Sequence, residues 1–182
     1  KVLVRLENET LSIGQRILSQ GLQLTVRGQD KIGIIGPNGV GKSTLLAKLH
    51  QLLSGKREIS LGFMPQDYQE TLQLDLSPVE FLSQTGHKEE IQKIQSHLAS
   101  LNFSYPEMHH QIHSLSGGQQ GKLLLLNLVL CKPNFLLLDE PTRNFSPTSQ
   151  PEIRKLFANY PGGLLTVSHD RRFLKEVCTS IY

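Results

Sequence analysis

Gly36 to Thr44 reads GPNGVGKST, directly after the apolar run KIGII (residues 31–35) and directly before Leu45, Leu46, Leu49, Leu52 and Leu53, which recur at helical spacing. This strand, glycine-rich turn and helix match the phosphate-binding loop G-x-x-x-x-G-K-[ST] in full and in its required context. Gly36, Gly39 and Gly41 let the backbone turn its N–H groups inward, and the helix start adds its positive end. Pro37, Asn38, Val40 and Thr44 complete the loop. Lys42 is placed to reach the β- and γ-phosphates of a polyphosphate, and the Ser43 hydroxyl to bind Mg2+. A turn that only caps a helix would account for Gly41 but for neither Lys42 nor Ser43.

A loop of this kind needs a parallel sheet behind it, and the rest of the chain supplies one. NFLLL (134–138) and GGLLTVS (162–168) read as buried strands, while the spans 119–131, 152–160 and 171–177 read as helices. Strands alternating with helices predict an α/β fold with a mainly parallel sheet. Val2, Val4 and Leu6, then Leu22, Leu24 and Val26, alternate as two half-buried strands of an N-terminal antiparallel β layer, with Gly14, Gly21 and Gly28 as turns. The polar span 75–113 predicts a small helical insert, entered at Ser77-Pro78, with Ile91, Ile94 and Leu98 on one face. At 182 residues one domain is expected. It divides into the β layer (1–30), the phosphate-loop core (31–74), the insert (75–113) and a second core segment (114–182).

Composition narrows the function classes. With 38% hydrophobic and 19% charged residues the chain suits a globular fold. Leu123 to Cys131, its longest apolar-rich stretch, falls short of a membrane span. The opening KVLVRLENET lacks a secretory h-region, and two distant cysteines form no metal or redox motif, so a cytoplasmic setting is expected. The net charge is +3 with no basic run interleaved with aromatics, so direct DNA readout is not expected. His109, His110 and His113 lie close together, with no carboxylate or cysteine in the cluster; a polar surface loop is the reading here rather than zinc.

FLLLDEP (135–141) ends a buried strand on Asp139 and Glu140. Ligands of open α/β sheets sit beyond the carboxyl ends of the strands. Asp139 is therefore expected to hold Mg2+ beside Ser43, and Glu140 to orient or deprotonate a water at the γ-phosphate.

The set as a whole resembles a known family. The phosphate loop, Gln66 in MPQD, LSGGQ at 115–119, LLLDEP ending at Pro141 and His169 in VSHDRRFL occur in the order of an ATP-binding cassette (ABC) nucleotide-binding domain, a P-loop NTPase, over nearly the whole chain. The resemblance implies a Mg2+-dependent ATPase. Gln66 would touch Mg2+ and the attacking water, and His169 would contact the γ-phosphate. Ser116, Gly117, Gly118 and Gln119 would bind the γ-phosphate of ATP held by a second cassette. A single domain would then be weak or inactive alone.

VSHDRRFL further resembles the membrane-free ABC-F group, whose members carry two cassettes in one chain and mostly act on ribosomes. That implies a cassette from a longer chain, the second one by the absence of a linker, and a ribosomal partner in translation or antibiotic resistance. A transporter ATPase subunit and a poorly hydrolysing clamp are the alternatives. Where the group continues DEPTNHLD this chain has DEPTRNFS, so Ser146 stands at the aspartate that in the family couples the two sites. Where a base-stacking tyrosine is expected, LSIGQR has Ile13, near Arg16. Loose base selectivity is expected, with GTP tolerated.

Overall fold

The computed structural model describes residues 1–182, which divide into two compact units. The first comprises residues 1–66, 132–143 and 147–182, and the second residues 67–131 and 144–146.

The first unit is built on a five-stranded parallel sheet in the order β4-β5-β6-β3-β7. Its strands are β3 (Lys31–Ile34), β4 (Leu61–Met64), β5 (Phe135–Asp139), β6 (Gly163–Val167) and β7 (Ser180–Ile181). The continuous apolar runs of β5 and β6 are explained by position, since every residue of both strands is buried. Helix α1 (Lys42–Ser54) follows β3 and buries Leu45, Leu46, Leu49 and Leu53 of the predicted face, while Leu52, expected with them, turns to the surface. Helices α6 (Gln150–Ala158) and α7 (Arg171–Val177) meet through Phe157 and Phe173, whose rings lie edge to face at 5.8 Å. Lys31 donates from Nζ to the carbonyls of Phe157 and Ala158 at the C-terminal end of α6, where the Phe157 carbonyl also accepts the Tyr160 N–H.

The antiparallel layer is a single long hairpin, β1 (Val2–Ile13) with β2 (Arg16–Arg27). Of the three glycines expected at turns, Gly21 lies inside β2. The register shifts between Leu6 and Glu9, where Asn8 and Gly21 both take positive φ (54° and 70°), so a bulge and not a turn explains this glycine. Leu3, Val4, Leu6, Leu11, Leu24 and Val26 from the hairpin join Ile32, Leu49, Phe135 and Leu165 in one core. Lys48 of α1 pairs with Glu9 at 2.5 Å.

Packing is tightest where β6 begins. A Cβ on Gly163 would stand 2.6 Å from the Gly28 carbonyl oxygen and 2.7 Å from the Phe135 ring. The carbonyl belongs to backbone and cannot rotate aside. Gly163→Ala is therefore expected to cost about 1–3 kcal/mol by overpacking. Urea unfolding checks this, and an unchanged midpoint would contradict it.

The second unit is helical: α2 (Pro78–Leu82), α3 (Lys88–Ser100), α4 (Tyr105–His109) and α5 (Gly117–Cys131). Ser77 and Glu80 cap α2 reciprocally, as the Ser-Pro entry predicts, and Ser104 and Glu107 cap α4 the same way. Ile94 and Leu98 are buried on α3. The Glu90 carboxylate accepts the Gln84, Thr85 and Gly86 N–H groups and the Ser83 and Thr85 hydroxyls, which hold its pKa down at about 2. Helix α4 ends at His109, so His109 and His113 share no helix. Phe145 is buried against α5, where a Cβ on Gly121 would lie 3.0 Å from its ring.

Candidate functional site

Beyond the carboxyl ends of β3, β5 and β6 the first unit opens a cleft of about 670 Å3. The phosphate loop forms its floor. Asn38, Gly39, Gly41, Lys42, Ser43 and Thr44 all line it. Gly41 precedes α1 at φ 101°, and a Cβ there would come within 3.1 Å of Leu18 on β2, so both the conformation and the approach of the hairpin call for glycine. Helix α1 has no side-chain cap and no acidic residue in its first turn, which leaves its N–H groups and dipole turned to the cleft. Lys42 Nζ folds over the loop and donates to the Gly36 and Pro37 carbonyls at 2.6 and 2.8 Å. Val40 lines a neighbouring apolar pocket with Leu11, Leu22 and Leu45, and serves the loop's packing instead of its ligand face.

Strand β5 delivers the carboxylates. Asp139 is 8% exposed and accepts the Ser43 hydroxyl at 3.2 Å. Burial pushes its carboxyl above the usual range, and adjacent Glu140 adds to the push, while Ser43, Lys42 and Arg143 pull the other way. A buried carboxylate so placed is suited to a hard cation. Ser43, Asp139 and Gln66, which also lines the cleft, are all oxygen donors. No three His, Cys, Asp or Glu side chains converge into a metal site, so this donor set fits Mg2+ shared with phosphate oxygens and not a protein-only cage.

Glu140 sits at φ 49°, a left-handed conformation that costs a non-glycine residue about 1–2 kcal/mol. Its N–H donates to the Val167 carbonyl at 2.8 Å, continuing the β5–β6 ladder. Its Oε2 accepts the His169 N–H at 3.2 Å, and its Oε1 lies 3.5 Å from His169 Nε2. The strained backbone thus turns the carboxylate toward His169 at the end of β6. Both residues line the cleft.

Ile13, 62% exposed, Arg16 and Leu18 form the hairpin wall of the cleft. Leu18 and Arg143 were not singled out from the sequence. Leu18 carries no motif, and only the reach of the hairpin brings it to the loop. Arg143 stands in DEPTRNFS, three residues beyond Glu140.

LSGGQ belongs to the second unit. Ser116 and Gln119 bond reciprocally, the Gln119 N–H to Ser116 Oγ at 3.2 Å and the Ser116 N–H to Gln119 Oε1 at 3.1 Å. Gln119 Nε2 donates to Glu107 Oε1 at 2.7 Å, which ties the start of α5 to the cap of α4. Ser116 and Gly117 are exposed, and neither they nor Gly118 and Gln119 line the cleft.

A family model of ABC transporters matches residues 19–143, the span from the hairpin wall through the phosphate loop and signature to Arg143. The chain belongs to the ABC family. The cassette is an ATP-binding one, and among curated relatives it is 32% identical to Escherichia coli "Probable ATP-binding protein YheS" over 99% of its length. It is 27% identical to the Arabidopsis thaliana "ABC transporter F family member 2" over 98%. These relatives agree with an ABC-F-like cassette. The cassette spans 29% and 28% of their respective lengths. Among solved structures, the post-hydrolysis dimer of the ATP-binding cassette MJ0796 bound to ADP and Pi superimposes with a TM-score of 0.75 at 20% identity, covering 95% of this chain and 90% of that one. The fold is therefore that of an ABC P-loop NTPase, and no helix in it is long and apolar enough to cross a membrane.

Proposed function

We propose that this cassette hydrolyses ATP with Mg2+ as one half of a two-cassette ABC-F type protein that acts on the ribosome, in translation or in protection from an antibiotic. The observation that carries the hydrolytic part is the convergence of Glu140 and His169 on the same cleft as Lys42, Ser43 and Asp139. Lys42 exchanges the Gly36 and Pro37 carbonyls for the β- and γ-phosphates, which the loop N–H groups hold in place. Ser43, Asp139 and Gln66 would hold Mg2+, which would act as a Lewis acid that neutralises phosphate charge. Glu140 accepts a proton from the water whose oxygen bonds to the γ-phosphorus as the bond to the β-phosphate oxygen breaks, and His169 keeps that carboxylate aimed.

The other face of the bound nucleotide would come from LSGGQ of a second cassette. The exposed Ser116 hydroxyl and the Gly117 and Gly118 N–H groups at the start of α5 suit an anion. A solved ABC cassette that is itself dimeric supports the pairing. The ribosomal part rests on VSHDRRFL and on likeness to a relative named for the F family. Its test is ATP turnover by the full-length protein with and without ribosomes: stimulation and stable association are expected, and a rate indifferent to ribosomes with no association would contradict it. Co-purification with a membrane protein would favour the transporter-subunit reading, which the name of the family model keeps in view.

With Ile13, Arg16 and Leu18 as its wall, the base site offers no aromatic ring. GTP is expected to compete with ATP to within about tenfold, since aliphatic contact from Ile13 and Leu18 does not tell one purine from the other. Competition binding checks this, and a hundredfold gap would contradict it.

A further inference from the structure

Arg143 follows the β5 carboxylates through a tight turn in which its N–H donates to the Glu140 carbonyl at 3.1 Å. Its side chain is exposed and lines the cleft together with Lys42, Asp139, Glu140 and His169. Its charge is close enough to be felt at the buried Asp139 carboxyl in the same cleft. A planar guanidinium offers five donors that match phosphate oxygens in pairs, which neither asparagine nor lysine does. In phosphoryl transfer, charge gathers on the equatorial oxygens of the transferred group, and a positioned arginine stabilises it.

From this placement we propose that Arg143 is an intrinsic phosphate contact of this site, engaging the terminal phosphate of the nucleotide bound to its own cassette. The inference rests on the reading that the cleft holds ATP by its phosphates. It assigns to this chain a cationic catalytic residue outside the phosphate loop. Contact with the terminal phosphate makes Arg143 a discriminator of ATP from ADP.

The test uses the full-length protein in the Glu140→Gln background, in which ATP persists, with MgATP and MgADP as probes. Arg143→Asn is expected to weaken MgATP about tenfold and leave MgADP within about twofold, the pattern of one lost charge-assisted contact at the third phosphate. In the otherwise wild-type protein Arg143→Asn is expected to lower kcat by about tenfold or more, and Arg143→Lys to recover part of that loss. Equal weakening of both nucleotides would overturn the proposal, because Arg143 would then act through Asp139 or the shared phosphates. So would unchanged ATP affinity. Wild-type protein that binds neither nucleotide would overturn the underlying reading of the cleft, a result distinct from either.

Discussion

Glu140→Gln is expected to lower ATP turnover by about 10²- to 10⁴-fold, the usual worth of a positioned general base, while ATP binding is kept. The substitution is close to isosteric. A glutamine amide oxygen still accepts the His169 N–H, and the backbone still donates to the Val167 carbonyl, so the left-handed turn at residue 140 is preserved. What is lost is the proton acceptor. With chemistry blocked and the phosphate loop untouched, the variant holds ATP and stays closed on its partner cassette. Phosphate release and bound-nucleotide analysis check both halves of the expectation. Turnover equal to wild type would remove Glu140 from the role of base.

Lys42→Ala acts on the ground state instead. A lysine ammonium on two phosphates makes charge-assisted hydrogen bonds worth about 1.5–3 kcal/mol each, so about 10²- to 10⁴-fold in affinity is at stake. The fold does not depend on this side chain. Its present partners, the Gly36 and Pro37 carbonyls, belong to a half-buried and an exposed residue, so water replaces the ammonium when it is removed. Loss of binding in this variant would thus report on the ligand and not on unfolding, which an unchanged thermal midpoint would confirm.

The parts of the molecule legible in the sequence are those whose signal is local. The phosphate loop, four of the five apolar positions on the face of α1 and the bounds of α7 are each set by residues adjacent in the chain, and the structure places them as read. β4 was not read as a strand, because LGFM is four residues with a glycine and no alternation. It becomes a strand by pairing with β5 along Leu61 to Met64. β7 has two residues and exists through its bonds to β3. Gly21 reads as a turn in the sequence although it forms a bulge with Asn8, since a lone positive-φ glycine looks the same in either setting. In the cleft, Asp139 and Glu140 are legible because strand ends in an α/β sheet converge, and His169 only through the family resemblance. Leu18 was not, because a leucine on a hairpin gives no hint of which loop it will meet. The strain at Glu140 was also hidden: a glutamate in the left-handed region leaves no mark in the residue order.

The central claim, that this cleft holds ATP through Lys42, is tested most directly by calorimetric titration of the full-length protein with MgATP, wild type beside Lys42→Ala. The account predicts one fewer nucleotide bound per chain in the variant, with any remaining site unchanged in affinity. Equal stoichiometry and affinity in the two proteins would contradict it, and would place the nucleotide somewhere other than the GPNGVGKST loop.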